Sequence, residues 1–150
     1  MAEGIVSGSA ASISSSVALA ICGKRELDDC AAPINGPSQW VLGKSAPYHD
    51  GFSLQHTLIG YLIHHAMSVC WAVLFEKFRG SPREGSWANK TLWPAAATAA
   101  TACFVDFQLT PQRLTPGFEK RLSRRSLALV YVAFALGLAG ATVLKDRSEH

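Results

Sequence analysis

Charge is what this sequence has little of. Charged side chains make up 17% of its 150 residues, against roughly 25% in an average soluble protein. The deficit is local: Asp, Glu, Lys and Arg are absent from Gly4–Gly23, Gly51–Phe75, Thr91–Val105 and Ser126–Leu144, four blocks of 20, 25, 15 and 19 residues. The longest stretch between them, Lys24–Asp50, is too short to bury a core of its own. A separate soluble catalytic domain is thereby excluded. A long basic tail is missing as well, since the 14 basic and 11 acidic residues lie between and beyond the blocks, so nucleic acid is not an expected partner. The four cysteines show no CxxC spacing, and Cys22, Cys70 and Cys103 fall within or at the end of apolar blocks. There a thiol behaves as a small hydrophobe, and no disulfide framework is expected. No GxSxG, HExxH, Walker or GxGxxG pattern occurs, so the named enzyme mechanisms have no foothold and a non-enzymatic role is expected.

What remains is an all-α integral membrane protein in one domain, 1–150. A bilayer core about 30 Å thick takes around 20 helical residues, and barrel alternation is missing. Four transmembrane helices are expected near 4–23, 53–76, 91–109 and 126–144. The N-terminal Met1-Ala2-Glu3 carries an acid where a secretory signal has cations, so the first block is expected to be retained. That block is diluted by serines, but Gly4, Gly8, Ser12, Ser16 and Ala20 recur every fourth residue, a surface that lets backbones approach inside a bundle. Ala95, Ala99 and Cys103, and again Ala133, Gly137 and Ala141, repeat the device. The second block ends in Glu76-Lys77-Phe78-Arg79-Gly80, charge followed by a helix stop. In the third, Pro94 suits a first helical turn and Trp93 the interfacial aromatic belt.

Ahead of the last block, Thr115 can cap a short interfacial helix beginning at Pro116, with Phe118, Leu122 and Leu127 on its apolar side. Lys120, Arg121, Arg124 and Arg125 are then expected to meet lipid phosphates. With four spans, the termini share a side with the 76–90 loop, and that side holds six cations, while eight lie on the opposite side. A margin of two leaves the absolute orientation open. The loop Asn35–Trp40 has turn composition, with Trp40-Val41-Leu42 able to dip into the headgroup layer and the whole able to cap the mouth of the bundle.

Four segments carry a resemblance: Asn35-Gly36-Pro37-Ser38-Gln39-Trp40, His56-Thr57-Leu58-Ile59-Gly60-Tyr61-Leu62-Ile63-His64-His65, Trp71-Ala72-Val73-Leu74-Phe75-Glu76 and Thr110-Pro111-Gln112-Arg113-Leu114-Thr115-Pro116-Gly117-Phe118-Glu119. Together they resemble a family of small uncharacterised bacterial four-helix inner-membrane proteins. The resemblance implies the bundle and a bacterial inner membrane, and it implies no catalytic residue.

Ionisable groups within a span are costly and mark candidate sites. These are His56, His64, His65 and Asp106. At about 100° per residue, His56, Gly60, His64, Met67 and Trp71 share one face of the second helix, and His65 points away. His56 and His64 are then about 12 Å apart along the axis, too far to hold one metal together. The other blocks contain no His, which argues against haem within the chain, and no ligand spacing supports zinc; no cofactor is expected. The simplest reading of His64 is a hydrogen bond to the serine-rich first helix, with Gly60 letting that helix come close. Asp106 is read as an interfacial residue or a partner of Arg113, and Glu76 as a boundary residue. Two functions follow: a structural or interaction component of the membrane, self-associating or binding other membrane proteins through small-residue faces, or a small-solute or proton-coupled transporter or channel element built on the intramembrane His residues.

Overall fold

The computed structural model describes residues 2–79 and 88–148. Among them all regular structure is helical. Three helices are long and apolar enough to cross a membrane: Ala2–Leu27, Leu54–Arg79 and Arg124–Leu144, the last continuing as helix to Ser148. A further helical run, 88–109, has an α-helical centre, Trp93–Phe104, between π-type turns at Ala88–Leu92 and Val105–Leu109. It is rich in Ala and Thr and carries Lys90 and Asp106 near its ends; it falls outside that set of three. The four are called the first to fourth helices below. Each starts or ends a few residues beyond the charge-free block that predicts it, because a helix continues through polar residues until a stop signal. For the first helix that signal is Asp28, whose φ of 56° is the left-handed conformation that ends helices and that Asp tolerates.

The first helix lies between the second and the fourth and runs antiparallel to both, and small residues set the distance. A Cβ on Gly4 would stand 2.6 Å from Val73 Cγ2, and one on Gly8 2.6 Å from Val69 Cα. On the other side a Cβ on Gly137 would reach within 2.5 Å of Ala11 Cα, and Ser14 Oγ donates to the Ala133 carbonyl at 2.8 Å. The two glycine-bearing faces expected for association are therefore occupied within the chain. In the third helix the buried stripe is Ala95, Ala99 and Ala102, one residue off the expected Cys103, which is half-buried. Outward, Ile5, Ile13, Val17, Ile21, Leu62, Leu74, Leu129, Val132 and Leu136 are exposed, the inverse of a water-soluble bundle and the form that a lipid solvent stabilises.

At one end, 28–53 and 110–123 close over the helices as a cap. Three short turns begin with proline at an early position, Ala32–Asn35, Gly36–Ser38 and Ala46–Tyr48, where its missing N–H costs no hydrogen bond. Asp29 orders the first of them: Oδ1 accepts from the amides of Ala31 at 2.8 Å and Ala32 at 3.2 Å, and Oδ2 accepts from Gly51. Burial pushes the Asp29 carboxyl up, but the amides of Gly51, Ala31 and Ala32 and the charge of Arg121 together hold it below the usual carboxylate range. Asn35, fully buried, donates to the carbonyls of His49 and Gly51 and accepts from Thr57 Oγ1 at 2.7 Å.

The two cap segments meet backbone to backbone at Gly36 and Gly117, where a Cβ on either would collide with the other's main chain; Gly117 also has a φ of +85°. Gln39 Nε2 and Trp40 Nε1 both donate to the Thr115 carbonyl, at 2.6 and 3.2 Å. The interfacial helix expected from Pro116 is reduced to a single turn, Phe118–Lys120, because Gly117 breaks the chain direction before it. Phe118 points inward, 2% exposed, packing with Leu19, Cys22, Leu122 and Val130. The fourth helix begins at Arg124. Ser123 Oγ accepts from the Ser126 amide at 3.3 Å, and Glu26 at the end of the first helix accepts from the Ser123 amide at 2.8 Å, which places an acid at a helix N-terminus.

Candidate functional site

Beneath the cap, between the four helices, lies a cavity of about 60 Å³, room for a few waters. Its polar lining comes from every helix: Ser15 from the first, His64 and Ser68 from the second, Asp106 from the third and Tyr131 from the fourth. Trp40 and Phe118 from the cap, with Trp71 and Phe134, supply much of the apolar wall.

Two hydrogen bonds organise it. Ser15 Oγ and His64 Nε2 stand 2.9 Å apart, with donor and acceptor set by the imidazole tautomer. Tyr131 Oη donates to Asp106 Oδ2 at 2.6 Å, while Asp106 Oδ1 has no hydrogen-bond partner among the described residues. The rings of Phe118 and His64 meet edge to face at 6.4 Å, so the cap reaches down to the imidazole. Ser68 Oγ donates to the His64 carbonyl at 2.8 Å, one turn along the same helix.

Of the four candidate ionisable residues, the structure brings His64 and Asp106 to this cavity and leaves His56 and His65 out of it. His56 stacks on His49 with ring centroids 3.9 Å apart and faces Ser53 at the cap edge. The reason is the π-type turn Leu54–Leu58, which contains His56 and precedes the regular helix, and which upsets a wheel drawn at constant angle. His65 sits 5.8 Å from the Tyr61 ring, its Nδ1 buried without a hydrogen bond. Gly60 makes its close approach to the Ile34 carbonyl of the cap, not to the first helix. Asp106 is paired with Tyr131 and not with Arg113, which is exposed. Sequence reasoning missed Tyr131 altogether; the available signal was that a carboxyl within a helix calls for a donor at matching depth on a neighbour.

The remaining candidate residues lie elsewhere. Glu76 is more than a boundary residue: its side chain is 9% exposed, accepts from Ser7 Oγ on the first helix, and lies 3.4 Å from Arg79 Nε, itself 6% exposed. Of the four cations expected at lipid phosphates, two are engaged inside the cap. Lys120 donates to Gln39 Oε1, and Arg121 donates to the Pro47 carbonyl at 3.1 Å and to Asp50 at 2.6 Å. Arg124 and Arg125 are exposed and line a surface groove with Arg25 and Leu129. Among the described residues no group of three His, Cys, Asp or Glu side chains is placed to hold a metal ion.

Compared with protein-family models, curated proteins and solved structures, the chain matches none. The case for function therefore rests on the chamber.

Proposed function

We propose that the protein is a four-span integral membrane bundle, in a bacterial inner membrane as the resemblance implies, and that it acts without bond chemistry, as a proton-linked element that holds or passes a small solute in the chamber under its cap. The observation that supports this reading is the convergence of His64 and Asp106, from different helices, on one cavity. An ionisable side chain inside a span is costly, and two that face the same water-sized space are more than packing requires. An imidazole can take up and release a proton, and a carboxyl group lining the same cavity offers a second proton site. The fourth span of the proposal is the 88–109 run, about 30 Å long at the rise of a helix; Trp93, exposed at its start, suits the headgroup layer. Arg124 and Arg125, with Arg25 beside them, are proposed to meet lipid phosphates at the cap end.

A second reading has its own support. Ser15 satisfies His64 and Tyr131 satisfies Asp106 pairwise, as in a polar network that fixes helix register in a structural or interaction component. Proteoliposomes loaded with a pH-sensitive dye separate the two. The proposal expects proton flux above that of protein-free vesicles, lost in His64→Gln and Asp106→Asn proteins that still melt as folded bundles. Equal flux in empty vesicles and in all three proteins favours the structural reading.

A further inference from the structure

We infer that the ligand of this chamber is a small organic ammonium ion, of about the size of methylammonium; the inference rests on reading the chamber as a solute site. Three observations carry it. The first is charge: among the described residues no Lys or Arg lines the cavity, and Asp106 supplies its carboxylate. An anion would find no counter-charge there, whereas a cation finds one. Asp106 is also half-used, with Oδ2 bound by Tyr131 and Oδ1 without a hydrogen-bond partner among the described residues. An N–H donor completes it.

The second is the wall. Trp40, Trp71, Phe118, Tyr131 and Phe134 surround the space, and aromatic rings attract ammonium groups, tryptophan most strongly. A neutral solute gains nothing from that preference. A bare metal cation is poorly matched, since its hydration shell must be replaced by several oxygens, and the lining offers only Asp106 and the hydroxyls of Ser15, Ser68 and Tyr131. The third is size: a cavity of about 60 Å³ admits a few non-hydrogen atoms and excludes bulky cations.

The test is equilibrium binding of radiolabelled methylammonium to the purified full chain in lipid nanodiscs. Saturable binding is expected, displaced by ethylammonium and not by acetate, acetamide or tetraphenylphosphonium. Asp106→Asn should weaken binding at least tenfold. Trp71→Leu, which keeps the wall apolar and leaves the carboxylate in place, should weaken it at least threefold; if Asp106→Asn does not fold, this variant and the competition series decide. Absence of saturable binding overturns the inference, as does equal displacement by acetate or acetamide, or Trp71→Leu binding as tightly as the unmodified chain. Proton flux that depends on His64 and Asp106, found without methylammonium binding, removes the ammonium ligand and leaves the proton-linked chamber standing.

Discussion

Ser15 and His64 join the first two helices by a hydrogen bond at chamber depth, Oγ to Nε2 at 2.9 Å. It lies in register with the glycine contacts further down the same antiparallel pair, Gly8 on Val69 and Gly4 on Val73. The glycines set the separation of the backbones and the hydrogen bond sets their rotation.

Removing that bond should cost more than removing its sequence neighbour. His64→Leu takes the imidazole from Ser15, which keeps its bond to the Ala11 carbonyl at 2.7 Å, and Ser15→Ala takes the hydroxyl from the buried imidazole; losing a buried hydrogen-bond partner costs about 1–3 kcal/mol. His65 has Nδ1 without a hydrogen bond, so His65→Leu should cost less than His64→Leu. Thermal melting of the detergent-solubilised chain compares them, and equal, negligible effects of both His substitutions would contradict the anchoring role.

The glycines give a sharper contrast. Gly137→Ala pushes a methyl group against the Ala10 carbonyl and Ala11 Cα of the first helix, whereas Gly140, three residues on, has nothing within 4 Å of its added Cβ. Overpacking against a backbone that cannot move aside costs about 1–3 kcal/mol, so Gly137→Ala should lower the melting temperature while Gly140→Ala leaves it unchanged or raises it.

Much of this was legible in the sequence, and the failures have physical causes. Charge-free blocks located the helices, because only lipid-facing or buried stretches can omit ionisable groups over 15 to 25 residues. The stripes of Gly4 and Gly8 and of Gly137 were legible because helix periodicity makes spacing equivalent to a face. The π-type turn at Leu54–Leu58 was not, since nothing in Leu-Gln-His-Thr-Leu announces i→i+5 hydrogen bonding, and that turn misplaced His56. The cap was readable as turns from Pro33, Pro37 and Pro47. Its closure depends on Gln39 and Thr115, 76 positions apart, which no local pattern links. For the same reason the acid of Asp106 suggested Arg113 nearby in sequence, while its donor, Tyr131, stands on another helix.

That closure is itself testable. Gln39→Ala removes the donor to Thr115 and the acceptor of the Lys120 ammonium. At about 1–3 kcal/mol for buried polar groups left short of partners, the cap should open more often, seen as faster tryptic cleavage at Lys120 and Arg121 while the helices still melt cooperatively.

Acid should loosen the cap through Asp29. Its carboxyl is held below the usual range in the folded chain, so its contribution is fully present above the unfolded carboxylate pKa of about 3.9 and is lost as pH falls through the folded value. Hydrogen exchange at the Gly51 and Ala31 amides should accelerate, relative to exchange in the unfolded chain, only below about pH 4. In Asp29→Asn that relative acceleration should be absent at every pH.

The central claim is that four helices thread the bilayer with the cap on one face and both termini on the other. Site-directed cysteine labelling in a background with the four native cysteines replaced tests it directly. Membrane-impermeant reagent should reach probes at Glu3, Ser86 and His150 from one side of the membrane and probes at Lys44 and Gln112 from the other. Labelling of Lys44 and Ser86 from the same side, or of Ser86 and His150 from opposite sides, would contradict the four-span bundle and remove the membrane setting on which the chamber's function depends.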